Sequence, residues 1–148
     1  MELKQQLENA LREAMRANND VSKQTIRMAL AAIKFSEKEK GKPVDEAGVT
    51  AILQKEIKSR REAILDAEKA HRPDLVESSK EEIKVLESFL PQQLSDLEIQ
   101  ALVETAITET QANGIADMGK VMKVVAPRLQ GRAPGDRVSQ MVRQLLQK

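Results

Sequence analysis

The sequence predicts an all-α protein, four helices followed by three. Apolar residues recur every three or four positions along most of the 148-residue chain, the period of a helix with one buried face. No segment alternates polar and apolar residues long enough to make a strand. The six glycines and five prolines are few and fall in short clusters, as punctuation between long helices requires.

In the first helix Leu3, Leu7, Leu11 and Met15 stand four apart and form one narrow apolar face, which Asn18-Asn19-Asp20 ends. The second has Ile26, Leu30 and Ile33 as its stripe and stops at Gly41-Lys42-Pro43. Asp45 is placed to cap the third, whose stripe is Val49, Leu53, Ile57 and Ile64. His71-Arg72-Pro73 breaks the pattern, because proline lacks the helical N–H donor and restricts the residue before it. The fourth helix is expected from about Asp74 to Pro91, burying Leu75, Ile83, Leu86 and Leu90.

Past Pro91, Ser95-Asp96-Leu97-Glu98 reads as a capping box, with Leu94 and Ile99 spaced as a hydrophobic staple. The fifth helix turns Leu102, Val103 and Ala106 inward and is expected to end in a left-handed cap at Asn113-Gly114. Asp117 is placed to cap the sixth, which carries Val121, Met122 and Val125. Gly131 is placed to close it and Pro134 to open the seventh, whose stripe is Val138, Met141, Val142, Leu145 and Leu146. The natural boundary is Phe89-Leu90-Pro91-Gln92-Gln93. It divides a helical N-terminal domain, residues 1–91, from a three-helix domain, residues 92–148.

Composition excludes several chemistries. Without cysteine there are no disulfides, thiolate zinc sites or cysteine nucleophiles. No apolar run reaches the roughly 18 residues that span a bilayer. Met1-Glu2-Leu3-Lys4 opens a charged segment without an apolar signal region, so the expected setting is cytoplasmic and away from membranes. The only histidine, His71, sits at a tip between helices, where an exposed or capping role fits better than catalysis. Serines and threonines lack a nucleophile elbow or a neighbouring lysine base. Glu77, Glu81 and Glu82 read as a solvated face paired with Lys80 and Lys84. The residues offer no catalytic set, no metal site and no cofactor-binding loop.

Charge is the remaining signal. The net charge of +1 conceals a polarised chain: residues 117–148 hold seven basic side chains against two acidic ones, and the other 116 residues hold 17 against 21. A basic segment of this kind suits a polyanionic partner. Two phenylalanines and no tryptophan or tyrosine leave almost nothing for base stacking, and Phe35 and Phe89 are expected in the core. The expected contact is therefore with phosphates of a folded RNA. Gly131 would permit close approach, Arg132 would project from the turn, and Lys120, Lys123, Arg128 and Arg137 would extend the surface. The alternative is that Gly131 and Pro134 merely form a corner and the cations are solvated. Arg60 and Arg61 fall where the third helix needs an apolar residue, so one is expected to lay its stem along the core or pair with Glu56 or Glu62. Lys55, Lys58 and Arg61 are a second possible anion-facing strip.

Phe89-Leu90-Pro91-Gln92-Gln93-Leu94, Asp117-Met118-Gly119-Lys120-Val121-Met122, and Gly131-Arg132-Ala133 followed by Val138 and Leu145-Leu146 resemble the GatB/YqeY family. Ile26-Arg27-Met28 through Ala32-Ile33, Lys55-Glu56-Ile57-Lys58, and Arg72 before Asp74-Leu75-Val76 resemble its YqeY branch, which is expected to carry glycine where this chain has His71. The resemblance implies four helices and then a three-helix domain like the tail of the B subunit of the tRNA-dependent amidotransferase, a grip on the tRNA body. It implies a contact surface at Gly119, Lys120, Lys123, Gly131, Arg132 and the seventh helix. It also brings a label, carbon–nitrogen ligase activity with glutamine as amido-N-donor, which describes relatedness because this chain lacks a glutaminase nucleophile. The expected function is that of an amidotransferase-like accessory protein binding tRNA or another structured RNA. The alternative is an adaptor that docks a tRNA-charging or amidotransferase enzyme.

Overall fold

The computed structural model describes residues 2–147. Within them lie seven α-helices and no strand: α1 (Leu3–Arg16), α2 (Asp20–Lys40), α3 (Glu46–Lys69), α4 (Pro73–Glu87), α5 (Asp96–Thr110), α6 (Met118–Leu129) and α7 (Gly135–Leu146), with a 3-10 turn at Ile115–Asp117. Backbone contacts divide the chain into two compact units, residues 1–91 and 92–148. Lys148, one of the seven C-terminal cations, lies outside the described residues.

The core of the first unit is built from Leu3 and Leu7 of α1, Ile26, Ala29 and Ile33 of α2, Val49, Leu53 and Ile57 of α3, and Ile83 and Leu86 of α4, with Leu90 just beyond it. Three expected members, Met15, Leu75 and Phe35, face outward. Met15 is exposed and Ala14 buried in its place, because a strict spacing of four drifts by about 40° per step on a 3.6-residue helix. Leu75 is exposed too. The inward row of α4 runs instead through Val76, Ser79, Ile83 and Leu86, three and four residues apart. Phe89 packs half-buried against this core, whereas Phe35 is 66% exposed on the outer face of α2.

Local hydrogen bonds fix the helix ends. Asn19 Oδ1, Asp45 Oδ1 and Ser95 Oγ accept from the backbone N–H groups of Ser22, Gly48 and Glu98. Glu37 fastens α1 and the α2–α3 loop together: its carboxylate accepts from Lys4 Nζ at 2.9 Å and from the Val44 N–H at 3.0 Å. Those two donors, Lys4 first, hold its pKa below the ordinary carboxyl value.

The C-terminal ends are less conventional. His71 has a left-handed backbone, φ +56°, just past α3. Its N–H donates to Glu68 O and that of Arg72 to Ala67 O, the paired bonds of a Schellman cap. The sole histidine is thus a helix terminator on the surface. Asn18 does the same after α1. After α5 the left-handed residue is Gln111, and Ala112 N–H donates to Ile107 O. The expected cap at Asn113-Gly114 is therefore corrected. Gly114 is extended, and α5 closes earlier because Ala112 and Ile107 both pack on the core of the second unit.

Of the two arginines that interrupt the apolar stripe of α3, Arg60 is the one turned inward, only 6% exposed. Its Nε donates to Glu82 Oε2 of α4 at 2.9 Å and its Nη1 to the Glu56 carbonyl at 3.0 Å, with Glu56 Oε1 3.5 Å away. Nη2 rests 3.6 Å from the Met28 sulfur of α2. Glu82 thus belongs to an interhelical pair, not to a purely solvated face. Truncating Arg60→Ala removes the guanidinium and the packing of its stem. We expect a loss of about 2–4 kcal/mol by urea denaturation, and a smaller loss for the volume-conserving Arg60→Met. Relaxing the left-handed corner with His71→Gly should raise stability by about 0.5–1 kcal/mol in the same assay.

Candidate nucleic-acid interface

The second unit buries Leu94, Ile99, Val103 and Ala106 against Val121, Val125 and Leu129 of α6 and Val138, Val142 and Leu146 of α7. With Val121, Val125 and Leu129 inward, the helical period turns Gly119, Lys120, Lys123, Ala126 and Pro127 to solvent. α6 contains three cations and no carboxylate. Pro127 interrupts its hydrogen-bond ladder, since proline has no N–H for the carbonyl of Lys123. Asp117 occupies the N-cap position without capping α6: its Oδ2 accepts from Asn113 N–H at 2.9 Å and secures the preceding loop. Gly119 is unexplained by the fold, because a Cβ built there meets nothing within 4 Å. A glycine inside a helix costs about 1 kcal/mol relative to alanine.

The corner between α6 and α7 is tied to the segment before α5. Gln130 and Gly131 are successive left-handed residues, φ +50° and +74°, a reversal that glycine adopts without steric cost. The Leu94 N–H donates to Arg132 O at 2.7 Å, Gln93 Nε2 to Gly131 O at 3.3 Å, and Arg132 Nε to Gln92 O at 2.9 Å. Pro134 is the residue before α7, not its first helical one, and is buried.

The cations singled out in the sequence therefore separate into two groups. Arg128 makes a forked pair with Glu109 of α5, Nη2 to Oε2 at 2.7 Å and Nη1 to Oε1 at 3.3 Å, and that carboxylate raises the guanidinium pKa. Arg137 pairs with Asp96 in the first turn of α5, and Arg132 holds the corner. Lys120 and Lys123 are exposed beside Gly119 and form no ion pair among the described residues. The partners Gln92, Gln93, Asp96 and Glu109 were missed from sequence. They lie 19 to 41 residues from the arginines and glycine they meet, and no local pattern encodes such pairings. Among the described residues no group of three or more His, Asp or Glu side chains is arranged to hold a metal ion. No helix there is long and apolar enough to cross a membrane.

A family model described as Yqey-like protein matches residues 4–146. The chain is 37% identical over 106 residues to altered inheritance of mitochondria protein 41, mitochondrial, of Lachancea thermotolerans, covering 70% of this chain and 57% of that protein. It is 32% identical over 130 residues to the protein of the same name from Pyrenophora tritici-repentis, covering 86% and 71%. An uncharacterized protein of Schizosaccharomyces pombe is 30% identical over 87 residues, covering 59% and 71%. The chain thus spans little more than half of the Lachancea protein. The mitochondrial names overturn the expectation of a cytoplasmic protein. Its ground was the missing apolar leader, which bears on secretion alone, since mitochondrial addresses are amphipathic and arginine-rich.

The two groups of cations should separate in stability measurements. Arg132→Ala and Arg137→Ala are expected to lower stability by about 0.5–1.5 kcal/mol each in thermal or urea unfolding. Lys120→Ala and Lys123→Ala should stay within about 0.5 kcal/mol of wild type.

Proposed function

The chain belongs to the YqeY-like protein family, and from that premise we propose that it binds structured RNA, with tRNA as the preferred ligand, through α6. One observation carries the reading: Gly119, Lys120 and Lys123 share an exposed face of a helix without carboxylates, and the glycine has no role in the packing. A bare helical backbone lets a phosphate approach closely near the helix N-terminus, where the peptide dipoles favour an anion. The two ammonium groups then neutralise neighbouring phosphates, and release of condensed counterions drives association. With no aromatic residue in this unit, recognition rests on the shape and backbone of a folded RNA.

In this reading residues 92–148 act as a three-helix grip similar to the amidotransferase tail, and residues 1–91 form a separate helical domain. Arg128, Arg132 and Arg137 serve the grip indirectly, by fixing α6 and α7 against α5, and Gly131 shapes the corner. The carbon–nitrogen ligase label expresses kinship with that enzyme. The names of the relatives direct the proposed setting to the mitochondrion.

Fluorescence anisotropy with labelled tRNA at two salt concentrations tests the proposal. Wild type should bind at low salt and weaken steeply as salt rises. Lys120→Ala combined with Lys123→Ala should weaken binding about tenfold or more, and flatten the slope of log K against log salt by about 1–2. Gly119→Ala should lose affinity while gaining stability. Absence of wild-type binding at low salt, or an unchanged slope in the double variant, would overturn the assignment.

A further inference from the structure

We propose that the outer face of α2 is a docking site for an acidic amphipathic helix of a partner protein. The face is made by Arg27, Met28, Ala31, Lys34, Phe35 and Lys38, all exposed. Met28 is 55% and Phe35 66% exposed, and they lie seven residues apart with Ala31 between them. On a helix these three fall within an arc of about 60° and extend about 10 Å along the axis, a continuous apolar strip. Arg27, Lys34 and Lys38 fall within an arc of about 40° along one edge of it. Scattered surface apolar residues are ordinary, but an aligned strip with charge of one sign beside it is an interaction signature.

The charge is segregated, not inherited from a basic unit. Residues 1–91 contain 17 basic and 17 acidic side chains, yet the six positions of this face include three cations and no carboxylate. Among the described residues Arg27, Lys34 and Lys38 form no ion pair. Arg27 and Lys34 also line a groove of about 380 Å³ between α1 and α2, floored by Leu11, Leu30 and Ala31. Its other charged groups are Glu8 and Lys4, whose ammonium is committed to Glu37. On the other flank Phe35 borders a groove of about 440 Å³ toward α3, where Lys40 and Lys55 are balanced by Glu39 and Glu56. The unmatched charge is thus concentrated on the α1 side of the strip.

Charge complementarity and spacing select the occupant. Apolar residues at i, i+3 and i+7 mesh with the matching row of a second helix, and the small Ala31 allows that helix to come close. Glutamates or aspartates along one side of the guest would meet Arg27, Lys34 and Lys38. A single strand of RNA would find only one stacking ring here, whereas such sites rely on several.

The test uses the full chain with its methionine methyl groups observed by NMR. The probe is a helical peptide of about five turns, with leucines at every third or fourth position and glutamates beside them. This peptide should shift the Met28 signal saturably, and its lysine counterpart should not. Phe35→Ala should cut the affinity about tenfold while leaving the melting temperature within error, because this ring lies outside the core. Lys34→Glu with Lys38→Glu should reverse the preference between the two peptides. Lys120→Ala with Lys123→Ala should leave peptide binding intact, which separates this site from RNA binding at α6. The proposal is overturned if the glutamate peptide leaves Met28 unmoved, if Phe35→Ala binds as wild type does, or if oligouridylate or phosphatidylserine vesicles shift Met28 in the peptide's place.

Discussion

A guanidinium enclosed within a helical bundle must find acceptors there, and the first unit is organised around that demand. Arg60 interrupts the apolar stripe of α3 where a hydrophobic residue would otherwise sit. Its donors reach Glu82 on α4, the Glu56 carbonyl on its own helix, and the Met28 sulfur on α2. Apolar packing tolerates small shifts between helices, whereas the guanidinium favours the register that keeps Glu82 within hydrogen-bond distance, so this pair adds a directional tie between α3 and α4 to their apolar contacts. The same guanidinium lies 3.6 Å from the sulfur of Met28, so the interior pair touches the helix whose outer face carries Met28 and Phe35.

Three of the four arginines in the second unit are used differently. Arg128 and Arg137 bind carboxylates of α5, and Arg132 binds the carbonyl of Gln92. These contacts hold α6 and α7 to a core of only eleven buried residues, Leu94 through Leu146. A basic count in the sequence therefore overstates the positive surface available to a ligand. What is left on α6 is a smaller and better defined feature, two lysines beside a bare stretch of backbone.

The helices were legible in the sequence because their burial follows a period of 3.6 residues and their breaks coincide with proline or polar clusters. Ile26, Leu53, Ile83, Val125 and Val142 all lie inward as that period requires. Helix ends were legible only where the chemistry was local. Asp45 and Ser95 cap as their side chains suggest, and Gly41 and Gly131 turn left-handed. Asn18, His71, Gln111 and Gln130 adopt the same conformation without glycine. At Gln111 the stop is set by Ala112 folding back onto Ile107, a tertiary contact that propensity does not register. A histidine where the family is expected to carry glycine counted against a tight turn at position 71, yet the backbone at His71 has the left-handed geometry that glycine would favour. For the candidate site, the residue types were legible and their allocation was not. Whether an arginine faces solvent or a glutamate nineteen positions away depends on how the helices pack.

The composition of α6 has a consequence for motion. Its twelve residues include Gly119 in the first turn and Pro127 in the last half, two of the poorest helix formers. The helix therefore draws its persistence from tertiary packing, with Val121, Val125 and Leu129 buried and Met118, Met122 and Val124 packed beside them, and its solvent-facing backbone has little of its own to resist opening. Amide protons along this stretch will exchange with deuterium sooner than those of α5, through openings smaller than global unfolding. In the proposed binding mode a phosphate seated against the backbone would slow that exchange, so binding would register as added protection along α6.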